Sequence, residues 1–262
     1  MKDVQSQSDD RALPINRVGV KNLRYPITVL DRAQELQHTV GEITMTVNLP
    51  HHFRGTHMSR FIEILNENRH DLHIDRIGEI LAEMKSVLHA EEAHMEVRFP
   101  YFIEKEAPVS KARGLMEYQC ELHGTLGETA DYILGVEAPI TTLCPCSKEL
   151  SDRGAHNQRS RIHIQIRYTE FVWLEELIEI AESCASSPVY SVLKREDEKA
   201  VTEQAYDHPR FVEDMVREIA LKLGEDRRIC WFKVESENME SIHNHNAYAM
   251  IEKQLEAVSH KH

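Results

Sequence analysis

The sequence lacks any long apolar run: nowhere do its 262 residues approach the ~18 consecutive apolar side chains that a membrane helix needs. The first ten residues, MKDVQSQSDD, have no apolar stretch and cannot serve as a secretory signal. Basic charge is also short, with 31 Lys and Arg against 44 Asp and Glu and a formal net charge of −13. Such a chain is poorly suited to a nucleic-acid backbone, although a local basic pocket can still hold a small anion. Cysteines are few and odd in number, at 120, 144, 146, 184 and 230, which argues against a disulfide framework. A dinucleotide-type glycine loop is missing as well. These absences predict a soluble, cytoplasmic protein with neither nucleic acid nor membrane as partner. What is present, 41% hydrophobic and 29% charged residues, is the composition of a folded chain with a sizeable core.

Periodicity predicts the elements. Val18–Val29 reads as a strand interrupted at Pro26, and Ile43, Met45, Val47 and Leu49 alternate as a second. Met58, Phe61, Ile62 and Leu65 recur at helical spacing, as do Ile77, Ile80, Leu81, Met84 and Leu88 behind an N-cap at Asp75. Met95–Phe99 and Met116–Leu122 alternate again. The order β-β-α-α-β-β then repeats, with strands at Leu134–Ile140 and Ile162–Tyr168. Helices follow from Trp173 and from Asp207, the second with Pro209 in its first turn, and Ile229–Val234 and Ala247–Ile251 close the series. The expected fold class is α+β: two such modules over 13–126 and 131–252 after a disordered lead at 1–12. Their antiparallel sheets would join edge to edge into a barrel in an oligomer.

The chemical signal is concentrated in LCPCSKE, GAHNQRS and the distant ESENMESIHNHN. Thiolate and imidazole are ligands that a zinc-like ion prefers. A C-x-C pair, a His twelve residues after its first Cys, and a distant H-x-H could meet on one metal, although 16 histidines are scattered along the chain. A structural site would be closed, for example by Cys144, Cys146, His243 and His245, whereas a catalytic one keeps a position open for water. The mixed-charge run KREDEKAVTE could supply a carboxylate or be a solvated loop. Pro145 biases Cys144 toward an extended backbone. If the segment continues extended, both sulfurs share a face and can approach one ion. Cys120, Cys184 and Cys230 read as buried thiols.

Together with LPINRVGVKNLRYPI, GTHMSRF, APVSKARGLMEY and LKREDEKAVTEQAYDHPRFVEDMVR, these strings resemble the type IB GTP cyclohydrolases from about Leu13 to Tyr248. The resemblance implies a tunnelling fold, a homotetramer and a divalent metal, with zinc, manganese or iron all tolerated. It implies conversion of GTP and water to 7,8-dihydroneopterin triphosphate and formate, the first step of folate and pterin synthesis. Carried over by position, the metal ligands are Cys144, His156, Glu198 and His243, with Cys146 and His245 as catalytic neighbours. Glu213 would anchor the guanine ring. Imidazole titrates at about 6.5, which suits His245 to proton transfer in both directions. Lys148, Arg159, Arg161, Lys194 and Arg195 lie near the metal motif in sequence, and Lys148 and Arg159 are the first expected triphosphate contacts among them. Two rivals remain at this point: a nitrile reductase of the same fold using a cysteine nucleophile, and a non-catalytic oligomer stapled by zinc.

Overall fold

A computed structural model describes residues 11–68 and 76–255, so the expected N-cap at Asp75 and most of the expected lead lie outside the described residues. The elements run β1 (Ile15–Asp31), β2 (Glu35–Leu49), α1 (Met58–Glu67), α2 (Ile77–Leu88), β3 (Ala93–Glu106), β4 (Arg113–Leu126), β5 (Ala130–Leu143) and α3 (Pro145–Leu150). They continue with β6 (Asn157–Tyr168), α4 (Leu174–Cys184), β7 (Ser187–Pro188), α5 (Arg195–Asp207), α6 (Val212–Glu225), β8 (Ile229–Asn238) and β9 (Ala247–Gln254). The strands pair in the order β1-β2-β3-β4-β5-β6-β8-β9, with β7 against β5, and the sheet is left open at β1 and β9. Among the described residues no helix is long and apolar enough to cross a membrane.

The chain divides into two compact units, 1–100 with 121–133, and 101–120 with 134–262. In the first, Met45 of β2 pairs in register with Met95 of β3. Ile43, Met45, Val47, Met95 and Val97 are buried, as are Phe61 and Leu65 of α1 and Ile80, Leu81 and Met84 of α2. Pro26 does not interrupt β1, where it pairs with Val40. β1 ends the sheet, and an end strand tolerates a missing N–H.

In the second unit, β5, β6, β8 and β9 form an antiparallel run. Ile140, Ile162, Ile164 and Val234 are fully buried there, together with Leu177 and Ala181 of α4 and Met215, Ile219 and Leu223 of α6. Full burial of each of these side chains larger than alanine contributes about 1.5–3 kcal/mol. Here the element order departs from a plain repeat, because α3, β7 and α5 are added. The helix expected from Asp207 starts at Val212, with Pro209 and Phe211 before it. The mixed-charge run is helical from Arg195. Helix α5 is held at its start by Asp197, which is wholly buried. Its carboxylate accepts from the Lys194 N–H (2.8 Å), from the Val109 and Ser110 N–H groups (2.9 and 2.8 Å) and from the Ser110 hydroxyl (2.5 Å).

Burial pushes the Asp197 carboxyl up, but these four donors outweigh it and hold it well below the ordinary carboxylate range. A depressed folded-state pKa contributes stability that is present above the unfolded value of about 3.9 and is lost as pH falls toward the folded one. Asp197→Asn, whose amide cannot accept all four bonds, should melt lower than wild type at pH 7 and show a shallower loss of Tm between pH 5 and 3. Thermal melts across that range decide it, and parallel curves for the two proteins would contradict the assignment.

Candidate active site

At one end of the second unit the buried sheet face changes from aliphatic to polar. Thr142 lies opposite Gln158, and Ser160 opposite Asn238. All four are buried, directly beyond Ile140, Ile162 and Val234. The loops leaving this end wall a cavity of about 310 Å³. Cys144, His156, Gln158, Arg210, Phe211, Glu213, Asn238, Glu240, His243 and His245 are among its lining residues.

Main-chain hydrogen bonds fix each piece of the wall. The Cys144 N–H donates to the His156 carbonyl (3.1 Å), that of Arg210 to Leu143 (3.0 Å) and that of Met239 to Arg159 (3.0 Å). Cys144 is extended (φ −69°, ψ 118°), as expected before proline. The chain then turns into α3, however, because Pro145 suits the first helical position and the Cys144 Sγ caps the Ser147 N–H at 3.4 Å. The expectation of a continuing extended segment is therefore corrected. Cys146 sits inside α3, exposed and outside the cavity wall, while Cys144 is half-buried and within it. Gly154 has φ 143°, a conformation strained for any L side chain, in the stretch that leads back to His156.

The His156 Nδ1 faces the Gln158 Oε1 at 3.0 Å and the Ser241 hydroxyl at 3.4 Å. The Gln158 amide nitrogen donates to the Thr142 hydroxyl (2.8 Å), which lies 2.9 Å from that of Ser160. His243 and His245 stack with ring centroids 5.1 Å apart. Glu213 stands in the first turn of α6. Two buried polar atoms of lining residues, the Arg210 Nε and the Asn238 Oδ1, have no hydrogen-bond partner. The cavity thus presents a thiol, three imidazoles, two carboxylates and unspent donor and acceptor capacity. That is a wall suited to a polar ligand.

Of the residues singled out from sequence, Cys144, His156, His243, His245 and Glu213 come together here. Cys146, Lys148, Arg159 and Glu198 are not in the wall. Lys148 packs on the Tyr206 ring, 4.2 Å from its centroid. Arg159 is exposed and alternates with Gln158, which points it to the opposite sheet face. Glu198 is exposed on α5. Among the described residues, no three His, Cys, Asp or Glu side chains converge closely enough in this one chain to hold a metal ion. Sequence reasoning missed Gln158, Arg210, Asn238 and Glu240. The signal for two of them was a polar residue in phase with Ile162 and Ile164 or with Phe232 and Val234.

Residues 1–249 match the family model described as type I GTP cyclohydrolase folE2. The GTP cyclohydrolase FolE2 of Syntrophotalea carbinolica is 60% identical over 252 residues, covering 96% of this chain and 95% of the relative. That of Geobacter sulfurreducens is also 60% identical, over 96% of this chain and 98% of the relative. Among solved structures, a highly active mutant of Bacillus sp. TB-90 urate oxidase aligns with a TM-score of 0.57 at 9% identity, over 92% of this chain and 100% of that one. Urate oxidase from Bacillus subtilis 168 aligns at 0.53 and 9%, over 92% and 99%. This likeness is one of fold: urate oxidase has the tunnelling fold, and so does this chain.

The five thiols should separate by exposure. In the native protein a maleimide should label Cys146 first, Cys144 and Cys230 more slowly, and the buried Cys120 and Cys184 only on unfolding. Burial also pushes the Cys184 thiol up, away from the reactive thiolate. Peptide mapping of a labelling time course reads this order directly, and modification of Cys120 or Cys184 ahead of Cys146 would refute it.

Proposed function

The chain belongs to the type I GTP cyclohydrolase FolE2 family, and we propose on that premise that its cavity takes GTP and opens the imidazole ring at C8. Formate leaves and the ring recloses to 7,8-dihydroneopterin triphosphate, the first step of folate and pterin synthesis. The observation that carries this reading is the convergence of Cys144, His156, His243, His245 and Glu213 on one cavity wall. Family membership sets aside the nitrile reductase and the zinc-stapled oligomer.

The wall fits a divalent ion by the chemistry of its donors, which would have to draw closer together to share one. It offers the Cys144 sulfur and three imidazoles, with the His156 Nδ1 engaged at Gln158 and its Nε2 left as the donor. Cys144, His156 and His243 would hold zinc, manganese or iron, and the support for Glu198 as fourth ligand is the family resemblance. Such an ion, when bound, supplies water that ionises near neutral pH. The Glu213 carboxylate accepts from the N–H edge of guanine. His245 takes the proton released as C8 is hydrated and returns it to the purine nitrogen that leaves C8. Arg210 is the Lys or Arg that the described cavity wall contains, which supports it as an anion contact. The support for Lys148 and Arg159 is their nearness in sequence to Cys144 and His156, and that for Cys146 is its place beside Cys144. The open edges at β1 and β9 support assembly into a homotetramer with a closed barrel. The work is placed in the cytoplasm, where GTP is at hand.

GTP turnover after chelation, with manganese, iron and zinc restored separately, tests the reading; full activity in the chelated protein would sink it. Guanosine should be processed far more slowly than GTP, because remote phosphate contacts supply binding energy that orients the ring. Equal kcat/KM for the two would contradict that. Cys144→Ala should lose most bound metal and nearly all turnover. Cys146→Ala should keep its metal, with a loss of ~10–100-fold in activity, the size typical of groups that support a ligand. Metal analysis of both variants settles which sulfur binds, and a metal-free Cys146→Ala beside a loaded Cys144→Ala would reverse the assignment.

A further inference from the structure

We propose that Gln158 is a positioning residue that presents the Nε2 of His156 to the metal; the inference rests on the metal reading above. Gln158 is only 6% exposed, and the two hydroxyls behind it, Thr142 and Ser160, are fully buried. Its amide nitrogen is committed to the Thr142 oxygen at 2.8 Å, and Thr142 is in turn 2.9 Å from the Ser160 hydroxyl. That commitment turns the amide oxygen toward the His156 Nδ1, 3.0 Å away. A carbonyl oxygen only accepts, so this pairing assigns the proton to Nδ1, with the more distant Ser241 hydroxyl (3.4 Å) turned to accept as well. The lone pair of the neutral ring is then at Nε2, the atom left to face the cavity.

Register makes the arrangement rigid. Gln158 lies directly across from Thr142 on the neighbouring strand, so β5 orients the amide that orients the ring. The His156 N–H is itself fixed by the Ser147 hydroxyl at 3.3 Å, and its carbonyl by the Cys144 N–H at 3.1 Å. These main-chain contacts fix His156 beside Cys144, and the Gln158 amide then orients its ring. A purely structural role would need only that the buried amide be satisfied, and would be indifferent to which ring nitrogen carries the proton.

The test compares zinc affinity, by competition with a chromogenic chelator, in wild type, Gln158→Leu and Gln158→Glu, with thermal melts of each metal-free protein alongside. Gln158→Leu should bind zinc about 10–100-fold more weakly. Gln158→Glu, which still accepts the Nδ1 proton while Thr142 reverses its hydroxyl, should restore affinity to within a few fold of wild type. Equal affinity for all three, or equal weakening in both variants, overturns the proposal. Should either variant fail to melt cooperatively, the decision passes to wild type. There, ¹⁵N-histidine solid-state NMR of the metal-free protein at pH 8, with the signal assigned by its loss in His156→Gln, should report the Nδ1–H tautomer. The Nε2–H tautomer overturns the proposal. Failure of wild type to bind zinc, manganese or iron would be a failure of the metal reading instead, and the tautomer measurement would still decide the role of Gln158.

Discussion

Burying polar groups at the end of an otherwise aliphatic sheet face is the constraint on which the second unit depends. An amide or hydroxyl taken from water without a partner costs about 1–3 kcal/mol, comparable to what one buried isoleucine contributes. Thr142, Gln158, Ser160 and Asn238 would cancel much of the gain from Ile140, Ile162 and Val234 if none were satisfied. Three of them satisfy one another across the β5–β6 pair. The chain of bonds leaves the sheet through Gln158 to His156. Asn238 keeps an unpaired oxygen at the cavity, alongside the Arg210 Nε. The polar patch is thus stable where it is closed and receptive where it opens.

From that patch the placement of the remaining wall follows by short range. Leu143 and Asn157 are the last pair of the β5–β6 ladder, so Cys144 and His156 must emerge side by side. Asn238 and Ala247 are the last pair of β8 and β9, so the connection carrying Glu240, His243 and His245 leaves at the same end. Arg210 is tied to Leu143, and Glu213 enters with the first turn of α6. The positive end of that helix dipole favours a carboxylate there. Strand register brings the two hairpin connections to one end, and the Arg210 N–H and the Ser241 hydroxyl tie the rest of the wall to them.

How much of this was legible depends on whether a residue's neighbours in sequence are also its neighbours in space. β6 announced itself through Ile162, Ile164 and Ile166, and α2 through Ile77, Ile80, Leu81 and Met84, because burial on one face repeats at a fixed period. The six residues of α3 are too few to show a period, and the proline that begins it also makes the preceding cysteine extended. Helix α5 hid because its first turn is all charge, and what holds it is Asp197 reaching back to Val109 and Ser110. Gln158 and Asn238 looked like polar residues in a strand. Their meaning appears only when register sets Gln158 against Thr142, and Asn238 beside Ser160.

The fate of the two neighbouring cysteines shows how a local conformational change alters the chemistry. In an extended chain, side chains two apart share a face, and both sulfurs would compete for one ion. In a helix each residue turns by about 100°, so side chains two apart diverge. Because the chain becomes helical at Pro145, Cys144 stays at the N-cap, half-buried and facing the histidines, while Cys146 is carried into solvent. The Cys144 Sγ accepts from the Ser147 N–H, a contact that holds the sulfur at the cavity wall. The same short helix therefore removes one thiol from the cavity and fixes the other in its wall. Among the described residues, the cavity wall is thus left with one sulfur beside its imidazoles and carboxylates.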